Sequence, residues 1–362
     1  MGLQIIQKSM NIRDGVKTAE NKVSSETRKL SEFVVDSSKS MTDRLESFED
    51  ILNLEVGDTA LNRAKALERE FNIRQLYIKY EGDNPTGTQK DRIAFAQVYD
   101  ALRRDFDVVS LATCGNYGVA VALAANLAGI HCKIYIPESY HTERVEEMRA
   151  LQAEIIRLPG SYEDVVSRSS ALAQENEWYD ANPGGANTPL QISAYAQIAN
   201  EIFDDLGDAP KYCAVPVSNG TLLAGIYRGF VSLYKRGKTS RIPKMIAASS
   251  SYKNPIVQSF KKGLDYCRDL NPEHIRETRY NEPLINWHSF DGEEALYAVR
   301  ESGGDAFNVS DRKLKEMAGL LQKKEGFRIL PASTAGLIAL LEIHEASPME
   351  PDRYVAILTA KN

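Results

Sequence analysis

From Gln75 onward, short β-branched runs alternate with longer stretches of helical period, and this alternation restricts the chain to an α/β architecture. A period of two followed by a period near 3.6, repeated, buries both kinds of element when crossover helices cover a mostly parallel sheet. Strands are expected at 75–79, 108–112, 133–136, 154–158, 212–217, 244–248 and 354–358. Helices are expected at 91–104, 119–127, 143–152, 162–174, 222–234, 311–324 and 335–344, the first with Ile93, Ala96, Val98 and Leu102 turned inward. The stretch 254–289 reads as less regular. The first 44 residues, rich in Lys, Ser, Glu and Asp, read as a mobile or loosely docked arm, partly helical over 18–33.

At 362 residues and 43% hydrophobic content, the chain can bury the cores of two domains without disulfide or metal staples. A net charge of −6 argues against nucleic acid and anionic lipid, which both need a concentrated basic field. Cys114, Cys132, Cys213 and Cys267 lie far apart with no CxxC pair, and His141 and His288 have no metal-ligand spacing, so no metal site is expected. A reducing cytoplasm fits such cysteines. No charged-then-apolar leader pattern opens the sequence, and the most apolar stretch, 119–130, is too short to span a bilayer and contains Asn126.

Three strand-to-helix loops carry the chemistry. In Asn84-Pro-Thr-Gly-Thr-Gln-Lys-Asp-Arg92 a Pro- and Gly-bearing loop becomes a helix at Lys90, where partial shielding from water favours the neutral amine needed to form an imine. Thr113-Cys-Gly-Asn-Tyr-Gly118 and Ser218-Asn-Gly-Thr-Leu222 also open helices, so their outward amides suit a carboxylate or a phosphate. Neither loop contains GxGxxG, which weakens a dinucleotide reading.

With those residues in view, the chain resembles the fold-type II pyridoxal-phosphate enzymes (the tryptophan synthase β-like architecture), and within them threonine synthase. That family's lysine motif is Asn-Pro-Thr-Gly-Ser-Phe-Lys-Asp-Arg; its Thr-Ser-Gly-Asn-Thr-Gly loop is similar to 113–118, and its C-terminal motifs are similar to Pro331-Ala-Ser-Thr-Ala-Gly336 and Val355-Ala-Ile-Leu-Thr359. The resemblance covers about residue 45 to the end. It implies open, mostly parallel twisted sheets with helices on both faces, in a large cofactor-binding domain of 45–95 and 205–362 and a small domain of 96–204, with the cofactor in the cleft between them and the chain forming a homodimer.

The resemblance further implies that Lys90 holds pyridoxal 5'-phosphate as a Schiff base and that Asn116 bonds the cofactor's phenolic oxygen. It gives the phosphate to the amides of Ser218, Asn219, Gly220, Thr221 and Leu222, and the pyridine nitrogen to the hydroxyl of Thr359. Thr88, Thr113, Cys114, Gly115 and Tyr117 are then the substrate-binding residues. The implied activity is elimination or replacement at the β or γ carbon of a small amino acid that carries a side-chain leaving group such as phosphate. β-Replacement on O-phosphoserine or O-acetylserine and threonine synthesis from O-phosphohomoserine stay open as alternatives. Three departures bear on the choice. Gly185 stands where the family's Asn-Pro-x-Arg motif has its phosphate-gripping arginine, Cys114 and Tyr117 replace Ser and Thr, and Leu330 stands where a glutamate often precedes Pro-Ala-Ser.

Overall fold

A computed structural model describes residues 22–113, 115–140 and 144–362. The described residues contain ten strands: β1 Leu61–Arg63, β2 Leu76–Tyr80, β3 Val108–Ala112, β4 His131–Pro137, β5 Glu154–Leu158, β6 Tyr179–Asp180, β7 Tyr212–Pro216, β8 Lys244–Ser250, β9 Asp305–Val309 and β10 Tyr354–Leu358. They form two sheets in two compact units. One unit comprises the segment ending at Gly57 together with Asn84–Leu190; the other comprises Asp58–Asp83 and Gln191–Asn362.

The first unit holds a four-stranded sheet in the order β5-β4-β3-β6, parallel throughout. The helix Lys90–Arg103 lies between the helices Met41–Glu55 and Asn116–Ala128 and is therefore buried on more than one face. Ile93, Val98 and Leu102 are buried as the periodicity predicts; Ala96 is only half-buried, and Ala94, Phe95 and Ala101 are enclosed because neighbours cover both sides. Phe48 and Phe95 stack with ring centroids 6.1 Å apart, and burying each ring contributes roughly 1.5–3 kcal/mol.

The helices preceding this sheet start at side-chain caps. Ser24 accepts from the Thr27 amide to open Ser25–Val35, and Ser40 accepts from the Asp43 amide to open Met41–Glu55. Ser25–Val35 is not a loose arm over its described length: Thr27, Ser31 and Val34 are buried, and the Ser31 hydroxyl donates to the Leu127 carbonyl at 2.9 Å. The earlier part of the helix expected at 18–33 falls partly outside the described residues.

In the second unit, six strands run in the order β1-β2-β10-β7-β8-β9, with β1 antiparallel to β2 and every other pair parallel. Its core gathers Leu76, Ile78, Ile246, Leu337, Leu340 and Leu358. The region 254–289 is irregular apart from the short helix Pro255–Lys261 and two 3-10 turns. That helix has a legible start, since the fully buried Asn254 accepts from the amides of Ile256 and Val257 and Pro255 follows it. No helix among the described residues is long and apolar enough to cross a membrane.

Candidate active site

Lys90 is the first residue of its helix, and the loop ahead of it is tied down from the residue that follows it. The buried Asp91 carboxylate accepts from the Thr86 amide at 2.9 Å and the Thr86 hydroxyl at 2.8 Å, while the Gly87 amide closes a turn onto the Asn84 carbonyl at 2.8 Å. Burial pushes Asp91 up to about 7 against the opposing pull of its bonds from Thr86 and Thr88. Thr88 is buried; its hydroxyl donates to Gln89 Oε1 at 2.7 Å and accepts from the Lys90 amide at 3.3 Å.

Lys90 is half-buried, and its Nζ lies 5.5 Å from the centroid of the Tyr117 ring. That ring is held at its far end, because the Tyr117 hydroxyl donates to the Ala181 carbonyl at 2.7 Å and accepts from Gln97 Nε2. The structure thus brings together Lys90 of the first loop and Tyr117 of the second.

The second loop leaves β3 through Thr113, whose amide donates to the Tyr135 carbonyl at 3.1 Å and whose hydroxyl accepts from the Gly115 amide at 3.4 Å. Asn116 is half-buried at the first position of its helix, and Cys114 lies outside the described residues. A Cβ on Gly118 would fall 2.6 Å from Thr113 Cγ2 and 2.7 Å from Met148 Cε, so a side chain there would have to displace both. Behind this loop, Asn182 Oδ1 accepts from the Ala112 amide at 2.7 Å, and Asn182 Nδ2 donates to Asp180 Oδ1 at 2.7 Å.

A side chain on Gly185 would start 3.5 Å from Asp180 Oδ2, so a carboxylate borders the position where an arginine is missing. Arg144 donates to Glu147 at 2.7 Å, and that carboxylate is shared with Lys22. Arg92 is buried within its helix.

In the second unit, the loop Ser218–Leu222 opens the helix Thr221–Lys235. Gly220 has φ +100°, and a Cβ on it would sit 2.7 Å from the Asp291 carbonyl and 2.8 Å from Ala295 Cβ, so only glycine is accommodated. The loop's carbonyls are occupied. Ser218 O accepts from Asn254 Nδ2 at 3.0 Å and from the Ser289 hydroxyl at 3.1 Å, and Asn219 O accepts from the Asp291 amide at 3.0 Å. The Thr221 hydroxyl donates to the Asp291 carboxylate. Among the described residues, nothing accepts from the amides of Ser218 to Leu222. A loop whose carbonyls are tied back and whose amides are unengaged at a helix N-terminus fits a phosphate group.

Thr359 follows β10 and is half-buried, with its hydroxyl 2.8 Å from that of the fully buried Ser333. Ser333 also accepts from the Ala360 amide at 3.0 Å. Sequence reasoning assigned no supporting role to Asp91, Gln97, Asn254, Ser289, Asp291 or Ser333. The Asn254-Pro255 pair is a helix-start signal that marks one of them. Asp91 and Ser333 lie inside the motifs 84–92 and 331–336, while Ser289 and Asp291 support the loop 218–222 from about 70 positions away and carry no local signal.

Residues 52–360 match the family model described as pyridoxal-phosphate dependent enzyme. The chain is 31% identical to the threonine synthase of Methanocaldococcus jannaschii over 313 residues, which cover 85% of this chain and 75% of that one. Among solved structures, maize serine racemase is similar at TM-score 0.69 and 20% identity, covering 88% of this chain and 93% of that one. Cysteine synthase from Entamoeba histolytica is similar at TM-score 0.66 and 21% identity, covering 85% and 86%. At such identities the two structures speak for the fold alone.

Proposed function

Since the chain belongs to the pyridoxal-phosphate-dependent enzymes, we propose that it catalyses elimination or replacement at the β or γ carbon of an amino acid whose side chain carries a leaving group. The observation that carries this reading is the hydroxyl of Thr359, held by a second hydroxyl on Ser333 at 2.8 Å. A carboxylate facing the ring nitrogen would enforce its protonation, whereas a hydroxyl does not, and such a site suits loss of a side-chain group.

When bound, the cofactor supplies an electron sink for the pair left at the substrate's α carbon. The residues of this chain do the rest. Ser218, Asn219, Gly220, Thr221 and Leu222 offer five amides to the phosphate, Asn116 offers its side-chain amide to the phenolic oxygen, and Thr359 offers its hydroxyl to the ring nitrogen. Lys90 is the covalent anchor, and its Nζ takes the proton from the substrate's α carbon once released. Thr88, Thr113, Cys114, Gly115 and Tyr117 receive the substrate and its carboxylate.

The leaving group is the finer part of the proposal. With Gly185 in place of a guanidinium and Asp180 Oδ2 beside it, a phosphate dianion at the substrate's far end would lose charge-assisted hydrogen bonds contributing roughly 1.5–3 kcal/mol each. A shorter or differently substituted amino acid is preferred over O-phosphohomoserine. The same observation favours β-replacement on O-phosphoserine or O-acetylserine as the second reading.

The test is steady-state release of phosphate and threonine from O-phosphohomoserine, set beside product formation from O-phosphoserine and O-acetylserine with and without a thiol or sulfite nucleophile. O-Phosphohomoserine is expected to be a poor substrate. A kcat/KM of about 10⁴ M⁻¹s⁻¹ or above for it would overturn the substrate assignment.

A further inference from the structure

Tyr117, at a position where the resembling family has a threonine, puts its ring beneath Lys90, and its surroundings leave it one orientation. The helix Asn116–Ala128 presents the ring, which is buried. Its hydroxyl is bonded from two directions, by Gln97 Nε2 from the helix that begins with Lys90 and to the Ala181 carbonyl beyond β6. Gln97 is itself fully buried and is fixed by a second bond from Nε2 to the Ile93 carbonyl at 3.2 Å. A phenol held at its oxygen pivots little, so its face stays toward Lys90 Nζ, 5.5 Å from the ring centroid and within the range of attraction between an ammonium and a π face.

We propose that Tyr117 is a positioning residue for Lys90: its clamped ring holds the Lys90 ammonium in place and makes that nitrogen less reactive than an unsupported lysine of equal exposure. The proposal rests on Lys90 being the functional lysine, and it assigns to Tyr117 a role that a threonine cannot fill, because a threonine has no π face and is too short to reach both Gln97 and Ala181. Gln97 acts one step further back, by fixing the ring.

The test uses the full chain stripped of cofactor. A brief pulse of acetic anhydride is followed by mass spectrometry of the Lys90 peptide, with the exposed Lys315 as internal standard. An ammonium–π contact of the usual strength slows acylation roughly two- to five-fold at a pH below the lysine pKa. Tyr117→Leu is therefore expected to raise the Lys90 rate by that factor, and Tyr117→Phe, which keeps the π face but loses the two bonds that clamp it, to raise it by less. Tyr117→Met replaces leucine as the non-aromatic variant should leucine not fold, with circular dichroism as the check.

Equal rates in the wild type and the non-aromatic variant, or a phenylalanine variant that behaves like leucine, would overturn the proposal. The labelling reports on the nitrogen itself and not on turnover. It therefore fails separately from the assignment of Lys90 as cofactor anchor, which borohydride reduction decides.

Discussion

Asp91 holds Thr86 at two points, accepting its amide and its hydroxyl on separate carboxylate oxygens. The clamp fixes the turn immediately before Lys90, and it is made by a carboxylate whose burial pushes it up to about 7. An aspartate raised above its unfolded value of about 3.9 lends stability that is complete below that value and is lost as pH climbs through the folded one. The wild type should therefore lose stability relative to Asp91→Asn between about pH 4 and pH 7. Urea unfolding of both proteins across that interval checks the sign, and a wild type that gains stability relative to Asp91→Asn as pH rises would contradict it.

Borohydride reduction should fix the cofactor to the peptide that contains Lys90, and Lys90→Ala should abolish both the label and the yellow colour of the purified protein. Mass spectrometry of the digested product is the measurement. A label on any other lysine removes the basis for every role assigned to this site.

Gly220→Ala places a methyl against the Asp291 carbonyl and forces an L-residue to φ +100°. Backbone strain of this kind costs about 1–3 kcal/mol, and the shift needed to relieve it moves the amides proposed to hold the phosphate. Cofactor affinity should fall roughly ten-fold or more, equivalent to losing one or two phosphate hydrogen bonds. Equilibrium dialysis gives the affinity, and thermal unfolding of the cofactor-free protein separates the strain from the lost contacts.

Thr359→Asp should lower kcat far more than it weakens cofactor binding, because the phosphate grip proposed for 218–222 is left alone. The aspartate would protonate the ring nitrogen and redirect electron flow. Cofactor titration by absorbance alongside steady-state kinetics tests the split; unchanged kinetics would show that Thr359 does not face the ring.

Much of the architecture was legible because parallel strands and their crossover helices advertise themselves. The strand at Glu154–Leu158, the helix Asp311–Lys324 and the strand Tyr354–Leu358 lie where periodicity places them. The strands Leu61–Arg63 and Tyr179–Asp180 were not legible, being too short for alternation to register. The loops that present Lys90, Asn116 and Ser218 could be found from their glycines and their place before helices. Their supports could not. Ser333 reaches Thr359 across 26 positions and Asp291 reaches Thr221 across 70, so those pairings arise from the folded chain, and neither local segment tells which partner the other supplies.

The strand order of the second unit also bears on how this protein matures as it leaves the ribosome. β10 lies between β2 and β7, with Tyr354 opposite both Leu76 and Tyr212. Until β10 has been synthesised, β2 has only the three-residue β1 for company, and β7 to β9 form a separate ribbon. Between the synthesis of β7 and that of β10 the nascent chain therefore carries two open strand edges that β10 will close, one of them flanked by the apolar Leu76 and Ile78. Closure by a central strand thus leaves the sheet of this unit incomplete until its last strand has been made.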